Sequence, residues 1–118
     1  MATVVAAMSG VPITTISAAT IGSGIIVAPP PSFQRHTIII TAAAAVTAGA
    51  IQIEASNSPT DSNIWAPIGG GPIAVIAGQD IIYNFEGVFQ FIQTRISTTI
   101  SGGGAPSVTV TYTGAKSY

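Results

Sequence analysis

The chain has 118 residues, of which 3 are Lys or Arg and 4 are Asp or Glu, a charged fraction of 6 % and a net charge of −1. An ordinary soluble domain carries about 25 % charged residues. Three scattered cations exclude a basic nucleic-acid footprint, which draws its affinity from clustered Lys and Arg; an apolar content of 47 % excludes intrinsic disorder, and a Cys count of 0 excludes disulfides, thiolate metal sites and cysteine nucleophiles.

The length fits one domain spanning residues 1–118, and 13 Gly with 8 Pro interrupt any long helix. Residues 1–34 hold no charged side chain. No basic segment precedes an apolar stretch there, so no signal peptide is expected. Residues 1–12 are read as an extended arm, and Ala2, Thr3, Val4, Val5, Val11 and Pro12 are its candidate assembly contacts.

Short β-branched and aromatic runs separated by turn residues then predict strands. Residues 11–19 and 24–28 are expected to pair around Gly22-Ser23-Gly24, after which Pro29, Pro30 and Pro31 end the ladder. Residues 33–41 form the next strand, and the unalternating Ile38-Ile39-Ile40 predicts burial on both faces. Residues 37–53 are long enough to raise the question of a membrane span, but Thr, Gly49 and the isoleucine run point to two strands with a small-residue connection. The best helix candidate, residues 42–46, is too short to matter.

Residues 50–56 alternate, with Ile51, Ile53 and Ala55 on one face and Gln52, Glu54 and Ser56 on the other. A polar loop over residues 57–63 precedes a short strand, 64–68, that carries the single Trp65. Strands at 73–76, 81–85, 88–98 and 107–113 complete the series, the last with Val108, Val110 and Tyr112 opposite Thr109, Thr111 and Thr113. About eight short strands with regular turns predict an all-β fold, a single antiparallel β-sandwich of jelly-roll type.

Catalytic chemistry finds little foothold. Glu54, Asp61, Asp80 and Glu86 stand in four different strands or turns and read as solvating residues, so no catalytic pair is assigned. His36 is the single histidine; it reads as a strand-edge polar residue, and one chain cannot build a multi-histidine metal site. The glycine triplets at 69–71 and 102–104 lack the Lys-Ser/Thr that follows a phosphate loop. No metal, cofactor or small-molecule substrate is therefore expected. Trp65, Tyr83, Phe85, Phe89, Phe91 and Tyr112 read as core ahead of a sugar-stacking platform. Asn57, Asp61, Asn63 and Trp65 form an alternative ligand loop for an ion or a sugar. Arg95 lies deep in a strand, where a guanidinium needs a partner, and Glu54 and Glu86 are the candidates for a structural bridge.

Three stretches carry a resemblance: IQIEASNSPTDSNIW over 51–65, GVFQFIQTRI over 87–96, and the Gly-rich turn with VTVTY over 102–112. Together they resemble small β-sandwich virion proteins of tailed bacteriophages, over about half the chain; residues 1–48 match no family. Such proteins serve as capsid decoration or cement proteins, head fibres, or tail and baseplate parts. The resemblance implies a non-enzymatic structural protein on the capsid exterior, with no membrane or nucleic-acid partner. Its implied partners are further copies of itself, as a homotrimer, and a major capsid protein. A glycan- or receptor-binding module of a head fibre, tail or baseplate is the alternative.

Overall fold

The computed structural model describes residues 4–58, 65–69 and 71–116. Ten strands and no helix are present among them: β1 (Val4–Ala6), β2 (Ile13–Ala19), β3 (Ile26–Ala28), β4 (Phe33–Ala42), β5 (Val46–Ser56), β6 (Ala66–Pro67), β7 (Ile73–Ala74), β8 (Asp80–Glu86), β9 (Phe91–Gly102) and β10 (Val108–Lys116). The all-β expectation holds, and the count is ten where about eight were expected. The strands expected at 64–68 and 73–76 are present only as the two-residue pieces β6 and β7, and the strand that was not expected is the three-residue β1 in the arm, a piece too short for periodicity to register.

A four-stranded sheet runs in the order β2-β10-β4-β8. A second sheet runs β1-β3-β9-β5-β6, with β7 also on β5. Every pairing is antiparallel except β1 with β3, which is parallel through Val4, Val5 and Ala6 opposite Ile26, Val27 and Ala28. Alternation turns one side of each sheet inward. Ile38, Ile40, Val108, Val110 and Tyr112 from the four-stranded sheet join Ile51, Ile53, Ile92, Ile96 and Ile100 from the other in one hydrophobic cluster.

Residues 37–53 are indeed two strands. The turn Ala43 to Val46, closed by the Val46 amide donating to the Ala43 carbonyl at 3.1 Å, carries the chain from β4 in one sheet to β5 in the other. No described helix is long and apolar enough to cross a membrane.

The expected pairing of residues 11–19 with 24–28 does not form a ladder; a single backbone bond, from the Ile25 amide to the Thr15 carbonyl at 2.9 Å, joins the two segments. β2 lies on β10, and from Thr20 the chain leaves that sheet and runs along β9. The carbonyls of Thr20 and Gly22 accept from the amides of Ile100 and Ile96, both at 2.9 Å, and the Gly24 amide donates to Thr94 at 2.7 Å. With its ladder groups taken by β9, the Gly22-Ser23-Gly24 stretch is an extended run, not a hairpin turn. The change of sheet is absorbed at Ala18, with φ 45°, and Gly22, with φ 102°.

The isoleucine run is also corrected. Ile38 and Ile40 are fully buried, but Ile39 is half-buried on the outer face, because the second sheet covers one side of β4 only.

Candidate functional site

The arm residues come first. Ala2 and Thr3 lie outside the described residues. Val4 is exposed and Val5 half-buried in β1, at the edge of the larger sheet, and the Ala7 amide extends the contact to Ala28 at 3.2 Å. Val11 and Pro12 are exposed in the link to β2, as is Met8. The arm is thus held by its own sheet and presents Val4, Met8 and Val11 to solvent.

Of the two candidate acids for the bridge to Arg95, Glu54 is the partner. Glu54 on β5 sits beside Arg95 on the neighbouring β9; Arg95 Nε donates to Glu54 Oε1 at 3.3 Å and Nη2 to Oε2 at 3.2 Å. Gln52 adds its amide to Oε2 at 2.7 Å. The Glu54 side chain is 8 % exposed and that of Arg95 39 %, so the carboxylate is buried and the cation half in water. Glu86 stands in the other sheet, in register with Arg35, and takes no part.

The alternative ligand loop is not assembled by what is described. Asn57 is exposed at the end of β5 and Trp65 is half-buried, while Asp61 and Asn63 lie outside the described residues. The Ser58 amide donates to Ser56 Oγ at 3.1 Å, a local turn contact. Of the six aromatic residues read as core ahead of a platform, Phe85 and Tyr112 are in the core cluster and Tyr83 and Phe89 pack against it, while Trp65 and Phe91 are half-buried outside it.

His36 is not a strand-edge residue. It is 2 % exposed, stacked on Phe85 at a ring-centroid distance of 5.0 Å, with Phe89 edge-on at 5.5 Å. Its Nε2 lies 2.9 Å from the Gly87 carbonyl, which can only accept, so Nε2 carries the proton. Nδ1 of the neutral ring then accepts from the Tyr112 hydroxyl at 2.7 Å. Burial lowers the His36 pKa from its ordinary 6.5, partly opposed by the hydrogen bond to Gly87. Burial likewise pushes the Tyr112 hydroxyl up from 10.0. Both groups are neutral at pH 7, and the network ties β4, β10 and the turn after β8 together.

One surface went unassigned in the sequence. On the outer side of the four-stranded sheet, register aligns Thr14, Thr111, Ile39 and Ile82 in one row. Rows on either side hold Thr109, Thr41 and Asp80, and Thr113, Thr37 and Asn84; beyond the latter come Ala115, Arg35 and Glu86. The face is therefore β-branched and uncharged across its middle, with charges at the strand ends. Ile82 is 63 % exposed, and neither it nor Ile39 touches the core cluster. A recess of about 630 Å³ opens beside Thr37, Asn84 and Thr113. The alternating Thr109, Thr111 and Thr113 were the available signal; the matching rows on β4 and β8 needed the register.

Compared with known proteins, the chain matches no family model and no curated protein sequence. Among solved structures, the crystal structure of the SPBc2 prophage-derived protein YomS superposes with a TM-score of 0.55 at 15 % identity, covering 86 % of this chain and 88 % of that one. At that identity the likeness is one of fold: the chain shares the architecture of a prophage-derived protein.

Proposed function

We propose that this is a non-enzymatic structural protein of a phage virion, a capsid decoration protein that self-associates and binds the major capsid lattice. The two sheets with their shared core support the jelly-roll-type sandwich such proteins use. The carrying observation is the surface: an uncharged β-branched face on one sheet and an apolar arm, Val4, Met8 and Val11, beside the other. With 7 charged residues in 118, such surfaces are poorly protected against association unless something covers them. The fold shared with a prophage-derived protein agrees with this reading. The glycan-binding alternative has less behind it, since four of the six aromatic rings it would use, Tyr83, Phe85, Phe89 and Tyr112, are in or against the core.

The test is co-sedimentation of the purified full chain with shells assembled from the major capsid protein of its own phage. Saturable binding at micromolar concentration is expected, weakened by Val4→Glu/Met8→Glu in a chain whose circular dichroism is unchanged. Shells that leave the wild-type chain in the supernatant would refute the proposal.

A further inference from the structure

We infer that the outer edge of β8 is a strand-addition site for an extended segment of another protein, uncharged along its middle and carrying a basic residue where it meets Asp80. The inference does not rest on the decoration reading, and its test uses no capsid.

A sheet edge offers unpaired amides and carbonyls to any extended strand, and proteins shield such edges by shortening them, bulging them or placing proline there. Of the four edges of the two sheets, three are shielded. β1 has three residues, and β6 and β7 have two each, with Pro67 in β6 and Pro72 just before β7. β2 is irregular in its register with β10, and its Thr15 carbonyl already accepts from the Ile25 amide at 2.9 Å. β8 has none of these devices. It runs seven residues without proline, in unbroken register with β4 from Asp80 opposite Thr41 to Glu86 opposite Arg35. Among the described residues no other strand pairs with it. Its two charges stand at its ends, and Ile81 to Phe85 are uncharged.

The phase of the ladder decides which groups the edge offers. The Ala42 amide donates to the Gln79 carbonyl and the Gly87 amide to the Gln34 carbonyl, so the hydrogen-bonded pairs with β4 are those of Ile81, Tyr83 and Phe85. The amides and carbonyls of Asp80, Ile82, Asn84 and Glu86 therefore point away from β4, toward an incoming strand.

The acids select the occupant. A second copy's β8, paired antiparallel along the whole edge, would set Asp80 opposite Glu86 twice, like charge on like. Nor does this chain hold another strand that could answer Asp80. Its three cations, Arg35, Arg95 and Lys116, lie on β4, β9 and β10, each already with a strand on both sides. Glu86 faces Arg35 across the ladder, whereas Asp80 faces the uncharged Thr41. The strand that fits is a foreign one with its cation over Asp80.

The synthetic peptide Lys-Thr-Val-Thr-Val-Thr-Lys can answer Asp80 in either strand direction, and titrating it into the isotope-labelled full chain tests the site by amide exchange. Before addition, the Ile82 and Asn84 amides should exchange fast and those of Ile81, Tyr83 and Phe85 slowly. With peptide, Ile82 and Asn84 should slow. The same peptide with Glu at both ends should bind about ten-fold more weakly. Asp80→Asn, which alters only an exposed side chain, should weaken the lysine peptide about two- to five-fold. Ile82→Pro removes an edge donor and no bond to β4, so it should abolish binding in a chain that keeps its slow Tyr83 amide.

No slowing at about 5 mM lysine peptide, or shifts confined to Thr37, Thr111 and Thr113 on the sheet face, overturns the edge site. Equal binding of the two peptides overturns the charge selection. Slowing that follows the chain's own concentration without peptide makes a second copy the occupant and overturns the assignment to another protein.

Discussion

Removing one oxygen atom, by Tyr112→Phe, tests the buried network most directly. The Tyr112 hydroxyl is the donor to His36 Nδ1 at 2.7 Å, and the other ring nitrogen is committed to Gly87. With the ring 2 % exposed, no solvent replaces the lost donor. Stranding a buried acceptor costs about 1 to 3 kcal/mol, so the variant should lose about 2 kcal/mol. In urea, with a slope of about 1.5 kcal/mol/M, the midpoint should fall by about 1.3 M. His36→Phe should cost a similar amount by leaving the Tyr112 hydroxyl and the Gly87 carbonyl unpaired, and the double variant should lose less than the two singles combined. The same melts read the proton. The unfolded chain protonates His36 near 6.5, and the folded chain only at lower pH because burial opposes the charge. The unfolded state therefore binds more protons as pH falls below 6.5. Stability from this group is complete above that value and declines as pH drops toward the folded pKa. Wild-type melts between about pH 8 and about pH 5 should show the decline, with the His36 contribution absent from the double variant. A Tyr112→Phe loss under about 0.5 kcal/mol would refute the hydrogen-bond assignment.

Three further predictions concern stability, each read by urea unfolding. Arg95→Leu leaves the Glu54 carboxylate buried with Gln52 alone and should cost about 1 to 3 kcal/mol, less than a fully buried pair because Arg95 is 39 % exposed. Adding Glu54→Leu should recover most of it, and an unchanged Arg95→Leu midpoint would dismiss the bridge. A methyl added by Gly114→Ala would press on the Tyr112 hydroxyl and the Phe33 ring, at a cost of about 1 to 3 kcal/mol. Tyr112→Phe in that background should be milder than in the wild type, and additive costs would count against the clash. Ile38→Ala should cost about 2 to 5 kcal/mol and Ile82→Ala under about 0.5 kcal/mol, although the two are one strand apart; similar losses would show the faces wrongly assigned.

The long strands were legible because their alternation is local. β5 was anticipated with Gln52, Glu54 and Ser56 opposite Ile51 and Ile53, and β10 with its threonines opposite Val108, Val110 and Tyr112. What failed was non-local. Pairing of residues 11–19 with 24–28 is the economical reading of a Gly-Ser-Gly turn, yet β9, some seventy positions on, takes the ladder groups. His36 escaped because a polar residue in a strand reads as solvent-facing and because its partner Tyr112 lies 76 positions away. The phase of β4 is also broken: Ala115 pairs with Arg35 but Lys116 with Phe33. Gln34 is skipped, and Phe33 and His36 both turn inward. The Arg95 bridge was half legible. The need for a partner follows from residue type, whereas the choice of Glu54 over Glu86 depends on which sheet each strand joins. Val88 and Phe89, expected within a strand, precede β9 in the turn that holds His36.

The strand order carries a consequence for how the chain is made. β10 comes last in sequence, yet it lies between β2 and β4, and β9 lies between β3 and β5. A ribosome that has released everything through β8 has delivered the β4-β8 pair of one sheet and β5 with β6 and β7 of the other, but not the strands that join these to β2 and β3. Until then β2 has no ladder partner and neither sheet is continuous, and the nascent chain must stay soluble with very few charges to help it. Folding should therefore wait for the last strands and proceed slowly, as expected of long-range β pairing. Loss of β10 from the chain's end would remove a central strand, not trim an edge.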